Sequence, residues 1–345
     1  MDQELYSLFL ENEVFVDFKK FFKDLKTDFN MLSLPKHFIG RYEEEVDKIE
    51  KLIIKKDEKN YRYVFNKNNE LFKKIRDIRV DKLLLSMYKK IEKHEGNISL
   101  LNSFRDGDCI EYTRSEIITG RLSIKNGPKL MNLPKKYRNI LKSRFDNGEI
   151  LMVDYKSLEP RVARYIVGEK AAEDIYQDIC DRMDFLVDRS VMKKAVISVL
   201  YGISEESMNI GELSLDKVRD IRMKVLEYFN INYILKLAMQ QNASGYYMTY
   251  FGRPIHWNKE EVHLNQILNG YIQGTAVDVA LSGFLELVNN FDDKMIPIGL
   301  IHDAMLVDVA AESKNSFVKL VKNNYNYNNL GYFPLNIETI SQRKS

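Results

Sequence analysis

The amino-acid sequence predicts an α+β fold in which short extended segments are separated by long helical stretches. Three observations indicate this class. Apolar residues recur at helical spacing through most of the first 95 or so residues. An apolar run over 149–154 ends in an acid, as a buried strand that delivers a carboxylate would. A second apolar stretch over 296–309 has the pattern of a strand pair.

The composition predicts a folded cytoplasmic protein. Hydrophobic residues make up 45% and aromatic residues 11% of the chain, which excludes disorder throughout. Lys and Arg (52) nearly balance Asp and Glu (50), so affinity for a polyanion has to come from local patches. The two cysteines, Cys109 and Cys180, cannot form a disulfide framework. Neither a signal peptide nor an apolar run of ~20 residues is visible, so we expect no secretion and no membrane partner.

The first part of the chain is expected to be a helical lobe. Amphipathic helices are predicted over 5–32, around 46–53 and over 71–91. Gly96 is expected to end the last of them. Asp106-Gly107, between the extended pieces 100–104 and 109–112, indicates a β-hairpin.

The second part alternates strands with helices. The pattern predicts a strand over 149–154, helices over 189–202 and 214–240, a strand and turn over 246–250, a long helix over 260–290 and a strand pair over 296–309. Asp154 ends the first strand, and Asp303 lies at the bend of the strand pair.

A basic stretch runs over 121–145 without a single acid. Its cations are Arg121, Lys125, Lys129, Lys135, Lys136, Arg138, Lys142 and Arg144. Such a local field suits the phosphates of a polyanion, since Lys and Arg neutralise charge and release counterions. A solvated loop that happens to be basic is the alternative.

Asp154 is followed by a helix-starting pattern. Pro160 fits the first turn of a helix that begins just before it. Asp154 is therefore either a simple helix cap or a carboxylate placed for chemistry.

Four residues at spacings of four lie on one helix face, namely Arg189, Lys193, Ile197 and Tyr201. Two cations one turn apart repel each other unless an anion lies against them, and a triphosphate would serve. The alternative is a surface ridge paired with acids elsewhere. The apolar and aromatic residues on the same face favour a nucleotide.

Asp303 interrupts an apolar strand pair, where an unpaired carboxylate is costly to bury. Either a cationic side chain or a metal ion has to compensate it. If Asp154 and Asp303 meet, their carboxylates make a hard-cation site for paired Mg²⁺, the arrangement used for in-line phosphoryl transfer.

These segments together resemble one family. Asp-Tyr-x-x-x-Glu-x-Arg at 154–161, Arg-x3-Lys-x7-Tyr-Gly at 189–202 and His302-Asp303 resemble, in this order, motifs A, B and C of family A DNA polymerases. Shorter segments at 119–122, 130–134, 250–253 and 269–278 are similar to further family segments. Residues 71–118 more loosely resemble the end of the family's thumb, and residues 1–70 match nothing in it.

The resemblance implies a right-hand architecture, with an antiparallel palm sheet and a helical thumb and fingers. Its parts would be a helical N-terminal region and thumb (1–118), a first part of the palm (119–170), the fingers (171–255) and a second part of the palm (256–345). It also implies a template-directed DNA polymerase whose partners are primer–template DNA and dNTPs.

Individual roles follow from the resemblance. The metal ligands would be Asp154, Asp303 and the backbone carbonyl of Tyr155, holding two Mg²⁺ ions for which Mn²⁺ can substitute. Lys193 would be the general acid. The nucleotide-binding residues would be Arg189, Lys193, Ile197, Tyr201, Glu159 and Tyr176, with Glu159 excluding a 2′-hydroxyl. The DNA-binding residues would be Arg121, Asn132, Lys135, Lys136, Arg138, Arg161, Arg253, Asn269, Gln273 and His302.

The chain departs from the family pattern at several positions. Ile197 stands where the family's fingers helix carries Phe or Tyr, Ala304 replaces the acid after His-Asp, and Tyr176 replaces a histidine. The stretch before Arg189 is short, which predicts trimmed fingers. Nothing resembles the family's N-terminal exonuclease-like domain, so no proofreading is expected.

Two other functions stay open at this point. A single-subunit RNA polymerase has similarly spaced motifs and a fingers helix that often lacks the aromatic residue, but Glu159 argues against it. A catalytically inactive polymerase fold that only binds DNA is the second, and the presence of both Asp154 and Asp303 argues against it.

Overall fold

The structure is a computed structural model of the 345-residue chain. It describes residues 61–114, 119–208, 210, 213–240, 246–256, 264–323, 326–327 and 330–342. The helices predicted over 5–32 and around 46–53 lie outside these residues.

We number the described elements in chain order. The helices are α1 (Tyr61–Lys74), α2 (Lys82–Ile91), α3 (Glu95–Asn102), α4 (Leu158–Ile166), α5 (Ile175–Cys180), α6 (Arg189–Leu200), α7 (Leu215–Tyr228), α8 (Ile231–Gln240), α9 (Leu264–Val288) and α10 (Lys314–Asn323). The strands are β1 (Glu111–Thr113), β2 (Ser123–Asn126), β3 (Glu149–Tyr155), β4 (Tyr246–Met248), β5 (Pro254–His256), β6 (Met295–Ile301), β7 (Ala304–Val309), β8 (Asn326–Tyr327), β9 (Gly331–Tyr332) and β10 (Leu335–Gln342). Short 3₁₀ helices cover Leu130–Asn132, Lys135–Ile140, Glu205–Ser207 and Ala311–Ser313.

A four-stranded antiparallel sheet lies at the centre of the molecule, with strand order β10-β3-β7-β6. Strand β3 is buried along almost its whole length, as its continuous apolar run predicts. β6 and β7 form a hairpin in which Ile301 pairs with Ala304, which leaves a turn of two residues. The predicted α+β class, the strand over 149–154 and the strand pair over 296–309 are confirmed.

Helix α9 forms the core of the packing between the sheet and the helices. It is buried around most of its circumference, as expected for a helix enclosed by other elements. The Tyr155 hydroxyl donates to the carbonyl of Ala280, and the Tyr155 ring packs on Phe284 with a centroid distance of 5.0 Å. A Cβ at Gly283 would lie 2.2 Å from that hydroxyl, so only glycine allows this close approach of helix and strand.

The N-terminal part differs from its predicted pattern. The apolar stretch over 71–91 is divided between α1 and α2, and Gly96 lies inside α3 instead of ending a helix. The predicted hairpin around Asp106 is wrong, because 100–102 ends a helix. Asp106 instead accepts a hydrogen bond from the Val80 amide at 3.0 Å, and the Gly107 amide donates to Ile78. Strand β1 pairs with β2.

The single helix predicted over 214–240 is broken into α7 and α8. Asn230 lies between them with a φ of 47°, the left-handed region that asparagine tolerates better than most residues. Its carbonyl accepts the amides of Tyr233 and Ile234 and so starts the next helix. Among the described helices, none combines the length and apolar character needed to cross a bilayer.

A buried carboxylate fixes the segment that leads into β3. Asp308 of β7 is 1% exposed and accepts hydrogen bonds from the Ser143 hydroxyl at 2.5 Å and from the Arg144 amide and Nε at 2.9 and 3.1 Å. The Arg144 guanidinium also donates to the Asp77 carbonyl at 2.6 Å. A fully satisfied buried carboxylate of this kind ties the helical N-terminal part to the sheet.

We predict that Asp308→Ala destabilises the fold by about 2–4 kcal/mol, because three donors lose their acceptor and the Arg144 charge loses a buried partner. Urea denaturation followed by circular dichroism measures the change. Glu312→Gln, which removes an exposed ion pair with Lys294, is the control and should leave the midpoint unchanged. Equal midpoints for Asp308→Ala and the wild type would contradict the structural role.

Candidate active site

The pairing of β3 with β7 brings the two predicted catalytic aspartates to one end of these central strands, where β3 finishes and the β6–β7 turn lies. We call this end of the strands the sheet edge. Asp154 lies opposite Ala304 in the antiparallel register, and Asp303 directly precedes Ala304 in the β6–β7 turn. His302, the first residue of that turn, has a φ of 55°. A tight turn with a residue in the left-handed region holds Asp303 at the end of the hairpin instead of within a strand.

The two carboxylates interact electrostatically. The pKa of Asp154 is raised to about 6, mainly by burial, next by the negative charge of Asp303, and to a smaller extent by that of Glu338. Lys135 and Lys193 act in the opposite direction on the same pKa. Burial also raises the pKa of Asp303. Both acids therefore lie where a cation would stabilise their charged forms.

Asp154 is not a helix cap. Helix α4 begins at Leu158 and its N-cap position is held by Ser157, which has a φ of 52° and makes no side-chain capping bond. Pro160 lies in the first turn of α4, as predicted. The alternative in which Asp154 merely caps a helix is therefore excluded.

A cavity of about 790 Å³ opens beside Asp303. It is bounded by the 121–132 segment, the start of α4, the end of α6, one face of α9 and the β6–β7 turn. The predicted site residues that line it are Arg121, Asn132, Glu159, Tyr201, Gln273, His302 and Asp303. Segments far apart in sequence thus converge on one cleft.

Arg121, Glu159 and Tyr201 form a connected group at this cleft. Arg121 Nη2 donates to the Tyr201 hydroxyl at 2.9 Å and lies 3.6 Å from the Glu159 carboxylate. Burial raises the pKa values of Glu159 and Tyr201, and the Asp303 charge raises that of Glu159 further. The group joins the predicted sugar-selecting residue to the predicted base-stacking residue.

The predicted cationic helix face is present on α6. Arg189 begins the helix and pairs through Nε with Asp174 at 2.5 Å. Lys193 is exposed, forms no ion pair with any described residue, and is close enough to lower the pKa of Asp154. Ile197 is half-buried one turn further on, before Tyr201. The alternative interpretation, a surface ridge of cations paired with acids, therefore fits Arg189 but does not fit Lys193.

Tyr176 lies beside this face on α5. Its side chain is 4% exposed, and the Arg189 guanidinium lies 5.3 Å above the centre of its ring. Burial raises the pKa of Tyr176, so the hydroxyl stays protonated at neutral pH. Sequence reasoning placed Tyr176 and Arg189 near each other but missed Asp174, which links them. The position of Asp174 just before a helical pattern is a common N-cap signal, which could have identified it as the residue that caps α5.

Three predicted DNA-binding cations lie along the 3₁₀ helix Lys135–Ile140. Lys135 and Lys136 are exposed and pair with Glu338 and Glu92, each at 3.4 Å. Arg138 is half-buried, donates to the Leu133 carbonyl, and faces Asp154 and Glu338. The two lysines are available to a phosphate that replaces their carboxylate partners.

Arg161 and Arg253 both donate hydrogen bonds to backbone carbonyls. Arg161 is 2% exposed, and its guanidinium donates to the carbonyls of Lys156 and Glu173, so the predicted DNA contact is wrong. Arg253 donates to the carbonyls of Gly120 and Arg114 at 3.4 and 3.0 Å, which braces the turn that precedes Arg121. Both guanidinium groups donate to backbone carbonyls, and neither residue lines the cleft.

Helix α9 carries Asn269 and Gln273 one turn apart, and Gln273 lines the cleft. Further along, the fully buried Asp278 pairs with Arg114 at 2.5 Å. Arg114 Nε also donates to the Gly120 carbonyl at 2.8 Å. Sequence reasoning missed this buried ion pair, because nothing in the local pattern joins the two residues.

The donor set at the sheet edge fits a divalent cation. Asp154 and Asp303 supply carboxylate oxygens, the ligands that Mg²⁺ prefers. Their raised pKa values show that no nearby group fully compensates their charge. Within the described ranges, no group of three or more His, Cys, Asp or Glu side chains could hold a metal ion, so backbone, substrate or water oxygens would complete the shell.

Two neighbouring aspartates with Lys193 of α6 close to one of them form the kind of site at which enzymes of phosphoryl and nucleotidyl transfer use two metal ions. The family model for DNA polymerase family A matches residues 20–341, so the chain belongs to this family and the resemblance is confirmed. The match includes residues 20–70, so the expectation that nothing in 1–70 is similar to the family is wrong. A search of curated proteins finds no match.

The fold is similar to a solved structure, the POL domain of Pol1 from M. smegmatis in complex with DNA primer-template and dNTP. The TM-score is 0.64 at 16% identity, over 88% of this chain and 73% of that one. At 16% sequence identity, this similarity shows that the two chains share a fold.

We predict that Asp303→Asn raises the midpoint of thermal unfolding by about 1–3 °C at pH 8 in EDTA, because it removes a repulsive carboxylate beside Asp154. The folded pKa of Asp154 is raised, so the stability that its protonation provides is lost as the pH rises through about 6. The gain should therefore shrink at pH 5.

Differential scanning fluorimetry measures both midpoints. Asp184→Asn, at an exposed aspartate, is the control and should shift neither. A lower midpoint for Asp303→Asn at pH 8 would contradict the repulsion.

Proposed function

We propose that the chain is a template-directed DNA polymerase that extends a primer 3′ end with dNTPs by phosphoryl transfer assisted by two divalent cations. The observation that carries the proposal is the meeting of Asp154 and Asp303 at one sheet edge, opposite the cationic face of α6. Membership of DNA polymerase family A and the primer-template and dNTP in the related structure support it.

Asp154, Asp303 and the backbone carbonyl of Tyr155 are the proposed ligands of two Mg²⁺ ions, with Mn²⁺ able to substitute. When bound there, the ions would supply Lewis acidity for the primer 3′-hydroxyl and charge neutralisation for the triphosphate and the leaving pyrophosphate. The protein keeps the two carboxylates fixed on a strand and a tight turn, so little reorganisation is needed.

Arg189 and Lys193 are the proposed phosphate ligands. Both project from the first turns of α6, and Lys193 lies closer to the acids, as its effect on the pKa of Asp154 indicates. This position suits Lys193 for donating a proton to the leaving group. Lysine supplies a mobile point charge here, whereas the guanidinium of Arg189 supplies a fork for phosphate oxygens.

Sugar and base selection is assigned to the cleft wall. Glu159 excludes a 2′-hydroxyl, while Tyr201 stacks near the templating base and Ile197 gives an aliphatic surface one turn before it. Tyr176 forms the floor under Arg189. Because Glu159 lines the cleft, deoxynucleotides are favoured over ribonucleotides, which argues for a DNA polymerase over an RNA polymerase.

Duplex contacts are assigned to two surfaces. Arg121, Asn269 and Gln273 face the minor-groove side of the terminal base pair, where acceptors lie in similar positions for all correct pairs. Asn132, Lys135, Lys136, Arg138 and His302 contact the DNA around them. Phosphate contacts of this kind position the duplex without reading its sequence.

The proposal includes the division into thumb, palm and fingers, with boundaries at residues 118, 170 and 255, and a cytoplasmic location. It also includes the absence of 3′-to-5′ trimming of a mismatched primer by this polypeptide. Incubation of a mismatched, end-labelled primer–template with Mg²⁺ and no dNTP tests the last point, and shortened products would contradict it.

We predict that Mg²⁺-dependent primer extension by the purified protein falls about 10²-fold or more in Asp303→Asn, because a metal ligand is lost. Affinity for primer–template, measured by fluorescence anisotropy, should stay within about twofold, since Asp303 carries no DNA contact of its own. Asp184→Asn is the matched control. Unchanged extension by Asp303→Asn would overturn the metal assignment, and binding without extension by the wild type would indicate an inactive polymerase fold.

We predict that Glu159→Ala lowers the preference for dNTPs over rNTPs about tenfold, because the side chain that blocks the 2′-hydroxyl is shortened. Single-nucleotide incorporation with matched dNTP and rNTP measures the ratio of kcat/KM values. Glu173→Ala, at an exposed glutamate, should leave the ratio unchanged. An unaltered ratio in Glu159→Ala would place sugar selection elsewhere.

A further inference from the structure

The guanidinium of Arg189 is held in place by a residue that has no role in the mechanism above. Arg189 Nε donates to Asp174 Oδ2 at 2.5 Å. This contact is side-on, because it uses Nε and leaves the two Nη groups without a described protein partner. An arginine that is anchored through Nε presents its remaining N–H groups in a fixed direction.

Asp174 is itself immobilised. It is the N-cap of α5, and its Oδ1 accepts hydrogen bonds from the amides of Tyr176 and Gln177 at 3.1 and 3.2 Å. The two oxygens of the carboxylate thus have separate tasks: Oδ1 holds the helix start and Oδ2 holds the arginine. The partial positive charge of the capped amides also offsets the anionic charge of Asp174.

The ring of Tyr176 provides a second point of attachment. It lies 5.3 Å below the Arg189 guanidinium and is itself buried, so the ring has a fixed position. Carboxylate and ring together restrain the position and the plane of the guanidinium before any nucleotide binds.

We propose that Asp174 is a positioning residue for nucleotide binding, which orients Arg189 so that its Nη groups meet the phosphates of the incoming dNTP. The inference rests on the proposed function and assigns a task to a residue outside the motifs. Preorganisation lowers the cost of immobilising a flexible side chain on binding.

A contribution to folding alone is a poor explanation for the pair. Both side chains are well exposed, at 50% for Arg189 and 40% for Asp174, and exposed ion pairs add little to stability. The capping function of Asp174 needs only Oδ1, which serine can replace. The contact with Arg189 can therefore be removed while the helix cap is kept.

The test uses Asp174→Ser in the full chain. We expect the KM for dNTP to rise about twofold to tenfold, while kcat changes less and the Kd for primer–template stays within about twofold. The thermal midpoint should stay close to that of the wild type. Glu205→Gln, which removes the exposed pair with Arg219 at 3.1 Å, is the matched control and should leave all four quantities unchanged.

A double-mutant cycle separates positioning from a general structural effect. In an Arg189→Ala background, Asp174→Ser should leave the KM for dNTP unchanged, because no guanidinium remains to be oriented. An equal rise in both backgrounds, or a lower KM in Asp174→Ser alone, would overturn the inference. The lower KM would mean that Asp174 competes with the nucleotide.

Failure of the proposed function is distinguishable from failure of this inference. If the wild type binds a dideoxy-terminated primer–template and dNTP but does not extend a normal primer, the proposed activity is wrong. The Kd of dNTP for the terminated complex then gives the comparison between the wild type and Asp174→Ser. Equal Kd values would refute the positioning role, and weaker binding in the variant would support it.

Discussion

The register between β3 and β7 is the constraint on which the site depends. Asp154 lies beside Asp303 because it pairs with Ala304, the residue that follows Asp303. Side chains alternate between the two faces of a sheet, so a slip of one residue would turn Asp154 to the opposite face. The buried residues of β3 fix that register, and the two-residue β6–β7 turn fixes the position of Asp303 relative to β7. The apolar core therefore determines the distance between two charges that repel each other.

The chain carries nearly equal numbers of cations and anions, and the site shows how this balance is arranged locally. Several cations assigned to DNA or nucleotide binding are held by carboxylates of the same chain. These pairs are Arg121–Glu159, Lys135–Glu338, Lys136–Glu92 and Arg189–Asp174. Lys135–Glu338 and Arg189–Asp174 are exposed on both sides, and exposed pairs are weak, so a phosphate can displace or share the carboxylate of these two pairs at small cost. The surface can therefore present its cations to a polyanion when one binds. Without a polyanion, the carboxylates keep the repulsion among these cations small.

Much of the fold and of the candidate site could be predicted from the sequence, because the relevant patterns are local. Apolar continuity identified β3, helical spacing identified α6 and α9, and motif order brought Asp154, Lys193 and Asp303 into one hypothesis. The sequence did not predict the direction in which some side chains point or the residues with which they pair. Arg161 belongs to a motif, but its side chain points inward to backbone carbonyls. The partner of Arg189 lies in another helix, and no periodicity reveals a contact of this kind.

The alanine after Asp303 also has a physical consequence. Ala304 is 4% exposed and directly opposite Asp154, so an acid there would bring a third negative charge beside two carboxylates whose pKa values are already raised. The next acid on this face of the sheet is Glu338, which lies two residues beyond Asn336, the partner of Asp154 in β10. Glu338 is exposed and paired with Lys135, and it raises the pKa of Asp154 less than Asp303 does. Close to the two aspartates, the third acidic charge thus lies on β10, where water and a lysine screen it, so Asp154 and Asp303 remain the dominant negative charges there.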